Sequence, residues 1–176
     1  MRDQMREYRR NLKPDFVIEA RKNIELNILK IIEETKARVI LCYYPMKNEA
    51  GVLPQKLLGN DRVILVPKIK GLGLDLIQVS ETTTYSKSSF GTMEPNEGEI
   101  WNTDIYVNLA LIPAVAVTKD GNRLGMGKGF FDRTLQERTI KNIYAVVYED
   151  QIVEALPTDP WDKRVKGIIT EKGIYN

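Results

Sequence analysis

Several short runs of this chain are apolar almost from end to end, and they narrow the choice of fold more than any other feature. Residues 38–45, 62–67, 106–112, 143–148 and 167–170 each read as a strand with no polar face. A strand covered on one side alternates apolar and polar residues, whereas a continuous run belongs to a strand covered on both. Residues 74–79 read as a weaker strand of the same set. Helices must supply the cover. Pro14 and Asp15 suit a helix first turn, and Val17, Ala20, Ile24, Ile28 and Ile31 then recur at helical spacing to about Thr35. Residues 52–58 read as a short helix, and the Thr-, Ser- and Gly-rich 81–98 as mostly loop. Strands alternating with helices predict a three-layer α/β/α domain over residues 1–176, with a mostly parallel, Rossmann-like central sheet. Ligands of such sheets bind beyond the carboxyl ends of the strands. The loops after Tyr44, Val66, Pro113 and Tyr148 are therefore the places to look for chemistry.

The chain has no histidine. That excludes Ser-His-Asp and Cys-His nucleophile systems, His-ligated zinc and imidazole acid–base work. Catalysis is left to carboxylates, Lys and Arg, hydroxyls, backbone amides or a bound Mg²⁺. Cys42 is the sole cysteine, so no internal disulfide forms and a reducing, cytoplasmic setting fits. A net charge of +2 is too mild to argue for nucleic acid. Residues 106–117 form the longest apolar stretch and are too short to cross a bilayer, and residues 1–6 show no signal-peptide core. No nucleic acid and no membrane partner are expected, and a monomer is.

Two segments carry chemistry. Arg2, Arg6, Arg9 and Lys13 fall on one face of an N-terminal basic helix. Further on, Gly125, Gly127 and Gly129 alternate between a strand and a helix predicted over 130–137. Glycine lets backbone come close to a ligand, and amides at a following helix N-terminus attract anions. Arg123 and Lys128 add charge suited to phosphate. The loop is not a Walker motif, which would need glycine at Asn122 and Ser or Thr at Gly129. Nor is it the dinucleotide fingerprint, which would need glycine at Phe130.

The segment from Gly121 to Arg133, with its G-x-R-L-G-x-G-x-G followed by two aromatics and an aspartate, closely resembles the signature of the 5-formyltetrahydrofolate cyclo-ligase family. Arg2 to Arg6 resembles that family's basic start, Tyr44 to Glu49 its folate-contacting turn and Met93-Glu94-Pro95 its mid-chain element. Leu156-Pro157 through Asp162, then Ile168 to Glu171, resembles its ending. The likeness thus spans nearly the whole chain. The family often has Phe-Asp where Thr118 and Lys119 stand, and tyrosine at Phe130 and Phe131.

The resemblance implies a sheet of the cyclo-ligase, NagB-like type and conversion of 5-formyltetrahydrofolate and ATP to 5,10-methenyltetrahydrofolate, ADP and phosphate with Mg²⁺. By position, Arg123, Leu124, Gly125, Met126, Gly127, Lys128, Gly129, Phe130 and Phe131 would bind ATP with Arg2 and Arg6. Arg123 and Lys128 would be catalytic, offsetting charge on the transferred group. Tyr44, Glu49, Met126 and Phe130 would contact the folate, and Asp132 and Asp162 would hold Mg²⁺. Taken alone, Asp132 equally suits a helix first turn, Asp162 a polar turn, and Arg2 and Arg6 a solvated face. Tyr43 and Tyr44, read as adjacent strand residues, should face opposite sides, one in the core and one toward a pocket. Trp101 fits either packing or ligand stacking. A non-catalytic folate or nucleotide binder, and an ATP-dependent kinase or ligase with another acceptor, are the competing readings.

Overall fold

A computed structural model describes residues 1–59, 61–101, 106–157 and 163–176. Helix α1 spans Arg2–Arg10 and α2 Pro14–Thr35, followed by strand β1, Val39–Leu41. Next come β2 (Val63–Lys70), β3 (Gly73–Val79), β4 (Tyr85–Lys87), β5 (Met93–Pro95) and β6 (Glu99–Ile100). Strands β7 (Val107–Pro113), β8 (Ala116–Thr118) and β9 (Arg123–Leu124) lead into helix α3, Phe130–Glu137. The chain ends with β10 (Ile140–Val146), β11 (Ile152–Val153), β12 (Gly167–Ile169) and β13 (Ile174–Tyr175).

Among the described residues, eight strands form the main sheet in the order β13-β12-β10-β7-β1-β2-β3-β6. The five from β12 to β2 run parallel. The flanking β13, β3 and β6 are antiparallel to their neighbours. Burial explains the apolar runs. Along β7, Leu109 and Leu111 join Ile24, Ile28 and Ile31 of α2 in one cluster. Ala110 and Ile112 join Leu135 of α3 on the opposite face. Each isoleucine sealed in this way contributes about 1.5–3 kcal/mol of transfer free energy. Helix α2 begins with Pro14 in its first turn and stops at Lys36, whose left-handed backbone (φ 50°) closes the last turn onto Ile32 and Glu33 carbonyls.

Several sequence expectations need correction. The strand read over 74–79 is present but antiparallel, because a tight turn through Gly71 (φ 59°) folds it straight back on β2. The stretch read as loop over 81–98 contains the β4–β5 hairpin. Residues 52–58 make only a single 3₁₀ turn, Pro54–Leu57, since Pro54 at its start is followed by too few residues for a helix to propagate. The strand read over 38–45 stops at Leu41. Strands β8, β9 and β11 form a separate three-stranded sheet that the sequence did not suggest. Among the described residues, no helix is long and apolar enough to cross a membrane.

Candidate active site

Strand order reverses at β1. The chain leaves it to lay β2 on one side and returns later to lay β7 on the other. A crevice opens at the carboxyl ends of two strands that part in this way. Here it holds a cavity of about 300 Å³ lined by Tyr43 and Tyr44 after β1, Pro113 at the end of β7, and the glycine loop. Pro67, Ile69 and Leu74 of the β2–β3 hairpin form one wall, and Phe90, Thr92 and Glu94 of the β4–β5 segment another.

The glycine loop is held at both ends. Upstream, β9 pairs with β8, and Gly121 (φ 88°) lies against the backbone, where an added Cβ would meet the Val165 carbonyl oxygen at 2.5 Å. Downstream, Gly129 (φ 67°) caps α3. Gly127 also has positive φ, 95°, a conformation that costs other residues strain. The backbone N–H groups of Gly125 to Gly129 find no acceptor among the described residues. They remain available to an anion at the start of α3. Arg133 closes the loop, donating from Nε to Leu72 O at 2.7 Å and from Nη2 to Lys128 O at 2.8 Å.

Helix α1 lies beside this loop. Arg2 Nε donates to Gly125 O at 3.1 Å and Arg6 Nη2 to Met126 O at 3.4 Å. Arg6 lines the cavity with Arg123, Gly125, Met126, Lys128, Gly129, Phe130, Phe131 and Asp132. Of the loop, Leu124 is turned away into a small cluster with Val115 and Ala116. The Arg123 side chain is 4% exposed and pairs with Asp132, while its Nε is buried without a partner. Lys128 Nζ sits 5.5 Å from the centre of the Phe90 ring, which meets Phe130 edge-on at 5.6 Å.

On the opposite side, the turn after β1 presents Tyr44 and Glu49. Tyr43 is buried and its hydroxyl donates to Ala50 O, yet both tyrosines line the cavity, because Tyr43 lies beyond the end of β1 where strict strand alternation no longer holds. Tyr44 is half-buried, bridges Met93 of β5 and stacks at a tilt on Tyr85. Glu49 is buried, accepts Met46 N–H at 3.1 Å and pairs with Arg9 Nη2 at 3.2 Å. Burial pushes its carboxyl above the usual range, opposed first by the Arg9 cation and then by the Met46 amide. Arg21 of α2 braces the turn through the carbonyls of Met46, Lys47 and Glu49.

The fold therefore brings Arg6, Tyr44, Glu49, the loop residues other than Leu124 and Gly127, and Asp132 around one cavity, while Arg2 reaches the loop only through the Gly125 carbonyl. Asp162 lies outside the described residues. Arg9, Arg21, Phe90 and Glu94 were not read as site residues. Arg9 was the detectable one, since it shares the helical face of Arg2 and Arg6. Trp101 packs against the core cluster on the α3 side of the sheet.

Fold and cavity together define an α/β enzyme with a basic glycine loop at the switch point of a largely parallel sheet. A family model described as the 5-formyltetrahydrofolate cyclo-ligase family matches residues 1–171. The chain belongs to that family and is a ligase. It is 31% identical over 171 residues to the 5-formyltetrahydrofolate cyclo-ligase of Haemophilus influenzae, covering 92% of this chain and 91% of the relative. To that of Mycolicibacterium smegmatis it is 31% identical over 144 residues, covering 77% and 74%. The solved structure of the Aquifex aeolicus 5,10-methenyltetrahydrofolate synthetase superposes with a TM-score of 0.82 at 30% identity, covering 99% of this chain and 90% of that one.

Proposed function

We propose that the cavity takes ATP and 5-formyltetrahydrofolate together and yields 5,10-methenyltetrahydrofolate, ADP and phosphate. One observation carries this reading: the amides from Gly125 to Gly129, without an acceptor among the described residues, stand beside Arg6, Arg123 and Lys128 at a largely apolar cavity lined by three carboxylates, Glu49, Glu94 and Asp132. The first half suits a triphosphate and the second a flat heterocycle with polar edges.

An N-formyl group is an amide and a poor electrophile. Transfer of the terminal phosphoryl group of ATP to the formyl oxygen breaks the bond to ADP and creates a leaving group. The N10 amine then attacks the formyl carbon and gives up its proton. Departure of phosphate with the C–O bond leaves the cyclic amidinium. Such transfer needs alignment and charge neutralisation rather than a nucleophilic side chain, which suits a chain without histidine. Arg123 and Lys128 would neutralise the transferred group, and Arg2 and Arg6 would steady the loop against the nucleotide. Tyr44, Glu49, Met126 and Phe130 would hold the folate.

Among the described residues there is no cluster of three acidic or thiol ligands. Asp132, facing the cavity with its side chain 35% exposed, fits a metal whose other ligands are phosphate oxygens and water. Asp132, with Asp162, would hold Mg²⁺, which when bound screens the phosphate charge. We place the reaction in the cytoplasm and read the chain as a single-domain monomer acting on small molecules; the buried thiol of Cys42 suits a reducing compartment.

The test is direct. Purified protein with 5-formyltetrahydrofolate and Mg²⁺-ATP should produce the absorbance of methenyltetrahydrofolate, and a chelator or omission of ATP should abolish it. Folded protein that binds both compounds yet forms no product would overturn the proposal.

A further inference from the structure

Among the described residues, Arg9 and Glu49 form the one ion pair in which both side chains are 10% exposed or less. A buried pair of this kind adds little net stability over well-packed apolar residues, so its place on the wall of the cavity calls for a different explanation. The Glu49 carboxylate offers roughly four acceptor positions. Arg9 Nη2 occupies one and the Met46 N–H another. Glu49 lines the cavity beside Tyr44, Met46 and Pro67, where the surroundings are otherwise mostly apolar. Arg9 also grips the turn through its backbone, since its carbonyl accepts Asn48 Nδ2 at 2.9 Å.

We infer that Arg9 is a positioning residue for substrate recognition: it fixes the Glu49 carboxylate on the cavity wall so that its free acceptor positions take N–H groups of the bound heterocycle. This rests on the reading that a reduced folate, whose pterin ring carries such donors, occupies the cavity. The groups facing Glu49 are Arg9 from α1, Arg21 from α2, Tyr43 after β1 and Tyr148 after β10. Burial favours the protonated acid, and Arg9 is the largest influence against it. A protonated Glu49 loses acceptor capacity. Without Arg9, folate binding should therefore weaken as pH falls, and at higher pH than in the parent.

The experiment measures KM for 5-formyltetrahydrofolate, KM for Mg²⁺-ATP and kcat between about pH 6 and pH 8.5. It compares the parent with Arg9→Met, Arg9→Lys, Glu49→Gln and the Arg9→Met/Glu49→Gln double variant, with thermal melts for each. Arg9→Met should raise the folate KM about tenfold or more, with KM rising further toward acid pH and the ATP KM little changed. Arg9→Lys, which keeps the cation, should restore most of the loss. The double variant should lose the pH dependence, because glutamine accepts at every pH. Should Arg9→Met fail to fold, the lysine variant decides: whatever part of the loss it does not restore must appear in the folate KM, grow toward acid pH and leave the ATP KM unchanged. A pH-independent folate KM in every folded variant, or equal losses in both KM values, overturns the inference. Absence of turnover in the parent itself overturns the reading of the cavity, and this inference with it.

Discussion

Arg123 and Asp132 pair across the two ends of the glycine loop, the arginine from β9 and the aspartate from the first turn of α3. One contact thus ties the small three-stranded sheet to the helix whose first turn lines the cavity. It also joins a residue proposed to meet phosphate to one proposed to meet metal.

Asp132→Ala should therefore act twice. Turnover to methenyltetrahydrofolate is expected to fall about a hundredfold or more as a charge-organising group is lost. Stability should fall by about 1–3 kcal/mol, because a guanidinium only 4% exposed is left without its partner. Kinetics and urea midpoints on the same preparation check both. Parent-like turnover would remove Asp132 from the chemistry.

Two glycines separate loop shape from loop packing. Gly127→Ala meets nothing closer than Arg2 Nε at 4.0 Å, so its cost is confined to the strain of φ 95°. It should raise the KM for ATP about tenfold while melting within a few degrees of the parent. Gly121→Ala drives a methyl group to 2.5 Å from the Val165 carbonyl oxygen and should instead destabilise the whole domain. Identical behaviour of the two would mean that the loop's backbone has no special task.

Arg21→Met tests the brace on the folate side. Losing the bonds to Met46 O (2.7 Å), Lys47 O (3.1 Å) and Glu49 O (3.1 Å) frees the turn that carries Glu49. The expected result is a rise in folate KM with ATP KM little altered, together with a stability loss of about 1–3 kcal/mol. Steady-state kinetics with each substrate varied in turn would show it.

Alkaline pH should unfold this protein through its tyrosines. Burial pushes the Tyr85 hydroxyl up to about 12 and the Tyr43 hydroxyl well above its ordinary value. In the folded chain these phenols stay protonated where the unfolded chain ionises, near about pH 10. The folded state then binds more protons, and stability falls as pH rises from about 10 toward 12. Urea midpoints should be level near about pH 8 and drop above about pH 10, and Tyr85→Phe should make the drop shallower.

How far the sequence reveals this molecule depends on how local each signal is. The runs at 62–67 and 106–112 are apolar because both sheet faces are covered, so burial is written directly into them. The stripe from Val17 to Ile31 likewise announces α2, whose observed end at Thr35 matches its predicted one. Strands β8, β9 and β11 are two or three residues long, too short to show a period, and β11 exists only through pairing with β8 some thirty-five residues earlier. The direction of β3 was hidden for a related reason, since side-chain pattern does not encode whether a neighbour runs up or down. In the site, Gly125, Gly127, Gly129 and the charges beside them were visible as a cluster in the chain. The bond between Arg9 and Glu49 joins residues far apart in sequence, and nothing near either one names the other.

Cys42 sits at the end of β1 inside the core, 2% exposed, and burial pushes its thiol far above the ordinary range. The natural chain is therefore nearly silent toward thiol-directed reagents while folded. A cysteine introduced beside the cavity, at Phe90 for example, would be the site such a reagent finds first. A fluorophore or spin label attached there would report motion of that wall during turnover, with no need to remove Cys42.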